Sequence, residues 1–234
     1  MRIIGGSARG RRLKAPKGRA LRPTAARVKE ALFNILPHDL SGLKVLDLFA
    51  GTGNVTVEAL SRGATEAILV DASAESAKTI RENLRRLDLT DRAKVWTAPV
   101  NRALRLLGGR RETFDIIFLD PPYDQRLVEK TLQMVARGGL LRQTGTLVAE
   151  HSIREEIAPR YDPSTRPPAI AGGHSLGVPP GNRGVVLSER SESKGEGNSA
   201  PGLPRRLHGL ELRDQRRYGD TVLSFFKLDT KSNS

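Results

Sequence analysis

Cysteine is absent from this 234-residue chain, which excludes a disulfide framework, a Cys-ligated zinc and an iron–sulfur cluster. Histidine is scarce as well, and four scattered copies leave little for any other soft-metal site. No apolar run approaches the ~20 residues that a membrane span needs, and the Arg-rich start lacks the apolar core of a secretory signal. These absences point to a soluble protein of a reducing cytosol, long enough to bury one sizeable core.

What the chain does carry is positive charge. The formal net charge is +13, which predicts a polyanionic partner. Residues 1–30 hold seven Arg and three Lys against the single acid Glu30, so this segment supplies +9 of the +13. It is also patterned: Gly5-Gly6 and Gly10 punctuate it, and Ile3, Ile4 and Leu13 offer apolar anchors. The spacing predicts a small hairpin extension over 1–23 that presents Arg9, Arg11, Arg12 and Lys14 to a nucleic-acid backbone.

From Thr24, read as a helix N-cap, Val28, Ala31, Leu32 and Ile35 fall at i, i+3, i+4 and i+7, and Pro37 ends the helix. Strands are then predicted at 44–49, 67–71, 94–97, 114–120 and 146–150, with helices near 54–62, 73–87, 101–107 and 126–137. Such alternation means a parallel sheet with helices on both faces, an α/β fold. Between Pro159 and Pro204, 22 of 46 residues are Pro, Gly or Ser, and a disordered insertion is expected there. A last strand at Thr221–Lys227 closes the sheet, so one domain is built from 24–158 and 205–228.

The first strand ends in VLDLFAGTGNVTVEAL, which places Gly51-Thr52-Gly53 between a strand and a helix, where an open parallel sheet binds a nucleotide. Asp71 closes the second strand, where a carboxylate can accept both ribose hydroxyls. A dinucleotide site carries a third glycine where this chain has Thr56, and an acid such as Asp47 repels a pyrophosphate. S-adenosylmethionine has no phosphate and carries an amino group that Asp47 can receive, so it is the expected cofactor. Phe49, Ala50 and Ala72 flank these positions and complete the cofactor-binding set.

The fourth strand runs into Asp120-Pro121-Pro122-Tyr123 at the same edge of the sheet. Prolines there donate no N–H and leave carbonyls available. An exocyclic amine on a nucleobase is a poor nucleophile, because its lone pair is delocalised into the ring. Hydrogen bonds from its two N–H groups to the Asp120 carboxylate and the Pro121 carbonyl would localise that pair and aim it at a sulfonium methyl, with Tyr123 stacked on the flipped base. This chemistry needs no metal. Guanine N2 and adenine N6 both satisfy it, so an RNA enzyme, a DNA adenine-N6 enzyme and a catalytically idle binding protein of the same fold all remain open.

Asp-Pro-Pro-Tyr after a Leu-Phe-Ala-Gly-Thr-Gly loop resembles the signature of exocyclic-amino methyltransferases. With RIIGG and RG near the start and LRPTAARVKEALFN before the glycine loop, the chain resembles the RsmD-type family of 16S ribosomal RNA guanine-N2 methyltransferases over residues 1–151 and the final strand. The resemblance implies a Rossmann-like sheet of seven strands with an antiparallel last strand. It also implies a small-subunit ribosomal RNA substrate, in a partly assembled particle, and a monomeric cytoplasmic enzyme. It places Arg22 to Glu30 beside cofactor and base, adding Thr24 to the cofactor set and Arg22 and Arg27 to the RNA contacts. The chain departs from the family at Thr97-Ala98-Pro99, where an acid or Asn normally lies near the adenine ring.

Overall fold

The computed structural model describes residues 1–14, 23–122, 127–153 and 206–229, without the side chains of 23–25. Helix α1 (Pro23–Ile35) precedes the alternation β1 (Lys44–Leu48), α2 (Asn54–Ser61), β2 (Glu66–Asp71), α3 (Ala74–Arg86), β3 (Ala93–Thr97), α4 (Val100–Gly109), β4 (Phe114–Leu119), α5 (Leu127–Arg137) and β5 (Leu141–Ser152). Three strands follow: β6 (Arg206–Leu207), β7 (Leu210–Tyr218) and β8 (Thr221–Leu228). Helix α1 begins at Pro23, so Thr24 lies in its first turn and is not the cap. A proline suits that opening position because its missing N–H has no intrahelical partner to lose.

The described residues form one eight-stranded sheet in the order β3-β2-β1-β4-β5-β8-β7-β6. Strands β1 to β5 are mutually parallel, and β8 is antiparallel to both β5 and β7. The antiparallel last strand is as expected. The count exceeds seven because the two-residue β6 adds to the edge beside β7. Sequence reading placed no strand over 210–218, because LELRDQRRY alternates weakly on a largely solvated edge. The strand order turns around between β1 and β4, and that switch point opens a crevice at the carboxyl ends of the strands.

Side-chain alternation sends each strand's residues to two separate cores. On one face Val45, Leu69, Phe118, Val148 and Phe225 pack with α1, α2 and α3. On the other, Leu46, Leu48, Ile117, Leu119 and Ala149 pack with α4 and α5. Ser73 caps helix α3 by accepting from Ser76 N, and the helix buries Ala77, Ile80 and Leu84.

The N-terminal segment is a docked hairpin. Arg2 bridges Arg12 in antiparallel fashion, and Ile3, Ala8 and Leu13 are buried in the α1–α3 core. Glu58 on α2 fastens it, accepting the N–H of Ile4 at 2.9 Å and of Gly5 at 2.7 Å. Lys29 neutralises that buried carboxylate at 3.1 Å and also donates to the Arg2 carbonyl at 2.7 Å. Gly6 has φ +73°, and a Cβ there would lie 1.8 Å from the Ser61 carbonyl oxygen, so only glycine allows this approach. Arg62 also pairs with Glu58 at 3.1 Å, so it is removal of Glu58 that would strand a buried charge, that of Lys29, at a cost of about 3–5 kcal/mol.

Candidate active site

The crevice begins where β1 ends. Phe49, Gly51 and Gly53 all have positive φ, at 64°, 56° and 73°, so the chain leaves the strand in a tight loop and enters α2 at Asn54. Gly53 is required twice over: its backbone is left-handed, and a Cβ would come within 3.2 Å of Leu69 and 3.4 Å of Ile80. A non-glycine residue at φ 64°, such as Phe49, costs of order 1–3 kcal/mol and persists where surrounding structure enforces it. Such strain clusters at functional loops.

Four carboxyl groups line one face of the sheet at this edge. Asp47, Asp71, Asp120 and Glu150 each stand two residues beyond a core residue of the α1–α3 side, namely Val45, Leu69, Phe118 and Val148, and therefore project to that same side. The register pairs Leu48 with Val70 and Leu119, and Leu119 with Ala149. Asp71, Asp120 and Glu150 consequently share one level, at the end of β2, just beyond β4 and within β5, while Asp47 sits two residues below on β1.

Asp47 is buried, and the Thr56 hydroxyl donates to it. Burial, partly offset by the Thr56 bond and reinforced by the negative charges of Asp120 and Asp71, pushes its carboxyl up to about 7. The residue that breaks the dinucleotide glycine pattern thus has a positive role, which a search for glycines could not reveal. Asp71 is half-buried and accepts from Gly51 N and Ser73 N, both at 2.8 Å. It therefore organises the glycine loop and the start of α3. Its remaining lone pairs leave room for hydroxyl donors as well. The Asp71 carbonyl receives Ala98 N at 3.0 Å, which sets Thr97-Ala98-Pro99 beside this acid.

Glu150 was noticed in the sequence only as the end of a strand. Burial, then the negative charge of Asp120, raises its carboxyl to about 8. The signal that could have found it is an acid closing the strand next to the one that leads into Asp120. Asp120 itself is exposed, Pro121 is buried and Pro122 exposed.

The remaining predicted residues divide. Ala50 is buried and donates its N–H to the Val70 carbonyl, while Ala72 is exposed at the end of β2. Arg9, Arg12 and Arg27 are exposed and make no ion pair among the described residues. Lys14 pairs with Glu82 on α3 at 2.7 Å, and Arg11 with Asp88, just beyond that helix, at 3.9 Å. Sequence alone could not assign them to those partners, which lie some seventy residues away. Tyr123, Arg22, the Thr24 side chain and the 159–204 insertion lie outside the described residues. The bowl suits a cation: four carboxyls in a row, two of them raised by mutual repulsion as well as burial, would be relieved by a positive ligand and opposed by a pyrophosphate.

Comparison with known proteins agrees with this geometry. Residues 1–164 match the sequence profile of the family described as conserved hypothetical protein 95. The chain is 41% identical over 157 residues to "Putative rRNA methyltransferase YlbH" of Bacillus subtilis, covering 67% of this chain and 85% of that one. It is 35% identical over 159 residues to ribosomal RNA small subunit methyltransferase D of Escherichia coli, covering 67% and 77%. The solved structure of "Putative methyltransferase yhhF" from Escherichia coli superimposes with a TM-score of 0.71 over 99% of both chains at 26% identity.

Proposed function

Because the chain belongs to the RsmD-type methyltransferase family, described as conserved hypothetical protein 95, we propose that it methylates the exocyclic N2 amine of a guanine in small-subunit ribosomal RNA, with S-adenosylmethionine as methyl donor. The observation that carries this reading is the row of carboxyls at the switch point, continued directly by Asp120-Pro121-Pro122.

When bound, S-adenosylmethionine supplies an electrophilic sulfonium methyl. Asp47, held near neutrality by burial, receives the cofactor's ammonium group and is stabilised as an anion by it. Asp71 offers its remaining lone pairs to the ribose hydroxyls, and the Phe49–Gly53 loop presents bare backbone to the cofactor. Asp120 and the Pro121 carbonyl accept the two N–H bonds of the target amine and localise its lone pair. As the C–N bond formed, the sulfonium S–CH3 bond would break to leave the neutral thioether, and the nitrogen's surplus proton would leave through the exposed Asp120 carboxylate to water. Tyr123 stacks on the base, and the arm with Arg22 and Arg27 holds the surrounding phosphates.

The test incubates the protein with radiolabelled S-adenosylmethionine and small-subunit particles, naked ribosomal RNA or genomic DNA, followed by digestion to nucleosides. Label in N2-methylguanosine is expected. Label in N6-methyldeoxyadenosine with blank RNA samples would replace this reading by the DNA adenine one.

A further inference from the structure

One carboxyl of the row has no part in the reaction as derived. Glu150 lies near the end of β5, level with Asp120 and on the same face of the sheet, because Leu119 pairs with Ala149 and both of those side chains enter the opposite core. It makes no hydrogen bond or ion pair among the described residues. Its neighbour His151 projects to the other side, where it engages the Ser224 hydroxyl at 2.9 Å. The other two well-placed acids differ, for Asp47 has Thr56 and Asp71 has two backbone N–H groups. Among the described residues this half-buried carboxyl has no donor, and its oxygens are not sealed off, so they remain open to a ligand.

We propose that Glu150 reads the base: its carboxyl pairs with the N1–H and O6 of the guanine whose N2 amine Asp120 holds, and so makes the site select guanine. This assignment rests on the guanine-N2 reading above. Along the Watson–Crick edge of guanine, N1–H and O6 follow directly after N2. Adjacent strands stand about 4.8 Å apart, on the scale of that edge, so a base whose amine lies at β4 extends its next atoms toward β5. Burial and the Asp120 charge keep the Glu150 carboxyl protonated at neutral pH. A protonated carboxyl is the complement of a lactam, since its carbonyl oxygen accepts N1–H while its O–H donates to O6. Adenine held by its N6 amine would present a bare N1 and then a C–H, leaving the carbonyl oxygen unpaired. A site built to hydrogen-bond its substrate rejects an analogue that leaves a buried polar group without a partner.

The experiment first maps the labelled guanine in the small-subunit particle. A synthetic RNA segment is then ligated in with 2-aminopurine at that position, which keeps the amine but lacks both N1–H and O6. The readout is the ratio of kcat/KM for guanine over 2-aminopurine, measured for the full chain, Glu150→Gln and Glu150→Leu. Since each ratio is taken within one variant, any loss of folded enzyme cancels. The Gln carboxamide retains an acceptor and a donor, so its ratio should stay within about threefold of the original, whereas Leu should lower the ratio by at least about tenfold. An unchanged ratio in Glu150→Leu, with label still in N2-methylguanosine, would overturn the role of Glu150 alone. Absence of N2-methylguanosine with the unmodified enzyme would overturn the guanine reading and this assignment together.

Discussion

The two halves of the crevice are built differently. On the β1–β2 side the acids are bound into the fold, Asp47 by the Thr56 hydroxyl and Asp71 by the N–H groups of Gly51 and Ser73. On the β4–β5 side Asp120 is exposed and Glu150 has no hydrogen-bond donor among the described residues. The first half is organised before any ligand arrives. The second leaves the Glu150 carboxyl for a ligand to complete. A cofactor that stays similar from one turnover to the next suits the former, and a base that must be flipped out of a large RNA suits the latter.

The largest expected effects would break that contrast if the halves were equivalent. Asp120→Ala should lower kcat by about 10²–10³ with cofactor affinity nearly unchanged, because its hydrogen bonds strengthen only as charge develops on the amine. Asp71→Ala should do the reverse, weakening S-adenosylmethionine about 10- to 100-fold in calorimetry. It should also destabilise the cofactor-free protein by about 2 kcal/mol, since Gly51 N and Ser73 N lose their acceptor. Equal losses of kcat and affinity in both variants would mean that the two sides are one undivided site.

The same contrast separates what the sequence disclosed from what it hid. The alternation of periods placed β1 to β5 and their helices, because each strand is a short apolar run bounded by turn residues. Asp47, Asp71 and Asp120 were legible as well, since each closes or nearly closes such a run beside a diagnostic loop. The structural duty of Asp71 was hidden, because it depends on a loop twenty residues away folding back over the strand end. Thr56 was visible only as a missing glycine. β7 was missed because Arg213, Asp214, Arg216 and Arg217 break the apolar alternation on a mostly solvated edge. Glu150 needed the β4–β5 register before its level with Asp120 could be seen.

A pH titration of cofactor-free stability sharpens the comparison between the buried acids. Asp47 and Glu150 have folded values raised to about 7 and about 8. Each therefore favours the folded state most at low pH, and that contribution is lost as pH rises through the folded value. His151 is shifted the other way: burial lowers it, so it costs stability as pH falls below about 6.5. Above that pH His151 is neutral in both states, which leaves the two carboxyls to dominate. Stability should fall by roughly 2 kcal/mol between pH 6.5 and 8, read from denaturant midpoints at fixed ionic strength. Glu150→Gln should remove most of the slope between pH 7 and 8 and about half of it below pH 7, leaving the contribution of Asp47. A slope unaffected by that substitution would show that Glu150 already ionises freely.

The smallest effect concerns the arm, where a second contrast lies between exposed and paired cations. Arg9 and Arg12 have no ion-pair partner among the described residues, whereas Arg11 and Lys14 already serve Asp88, just beyond α3, and Glu82 on α3. A cation that contacts a phosphate releases condensed counterions, and each such contact contributes about 0.9 to the dependence of log affinity on log salt for duplex DNA, somewhat less for single strands. Replacing Arg9 and Arg12 together by Ala should therefore weaken RNA binding about tenfold at low salt and lower the slope by roughly 1.4 to 1.8. Replacing Arg11 and Lys14 should lower it by less, because their charge is already partly neutralised by α3. Fluorescence anisotropy across a salt series distinguishes the pairs directly. If the two double variants lose equal slope, the ion pairs to α3 must open on binding, and the arm engages RNA with all four cations. If neither loses any, the arm is a docked structural element and the phosphates are held elsewhere.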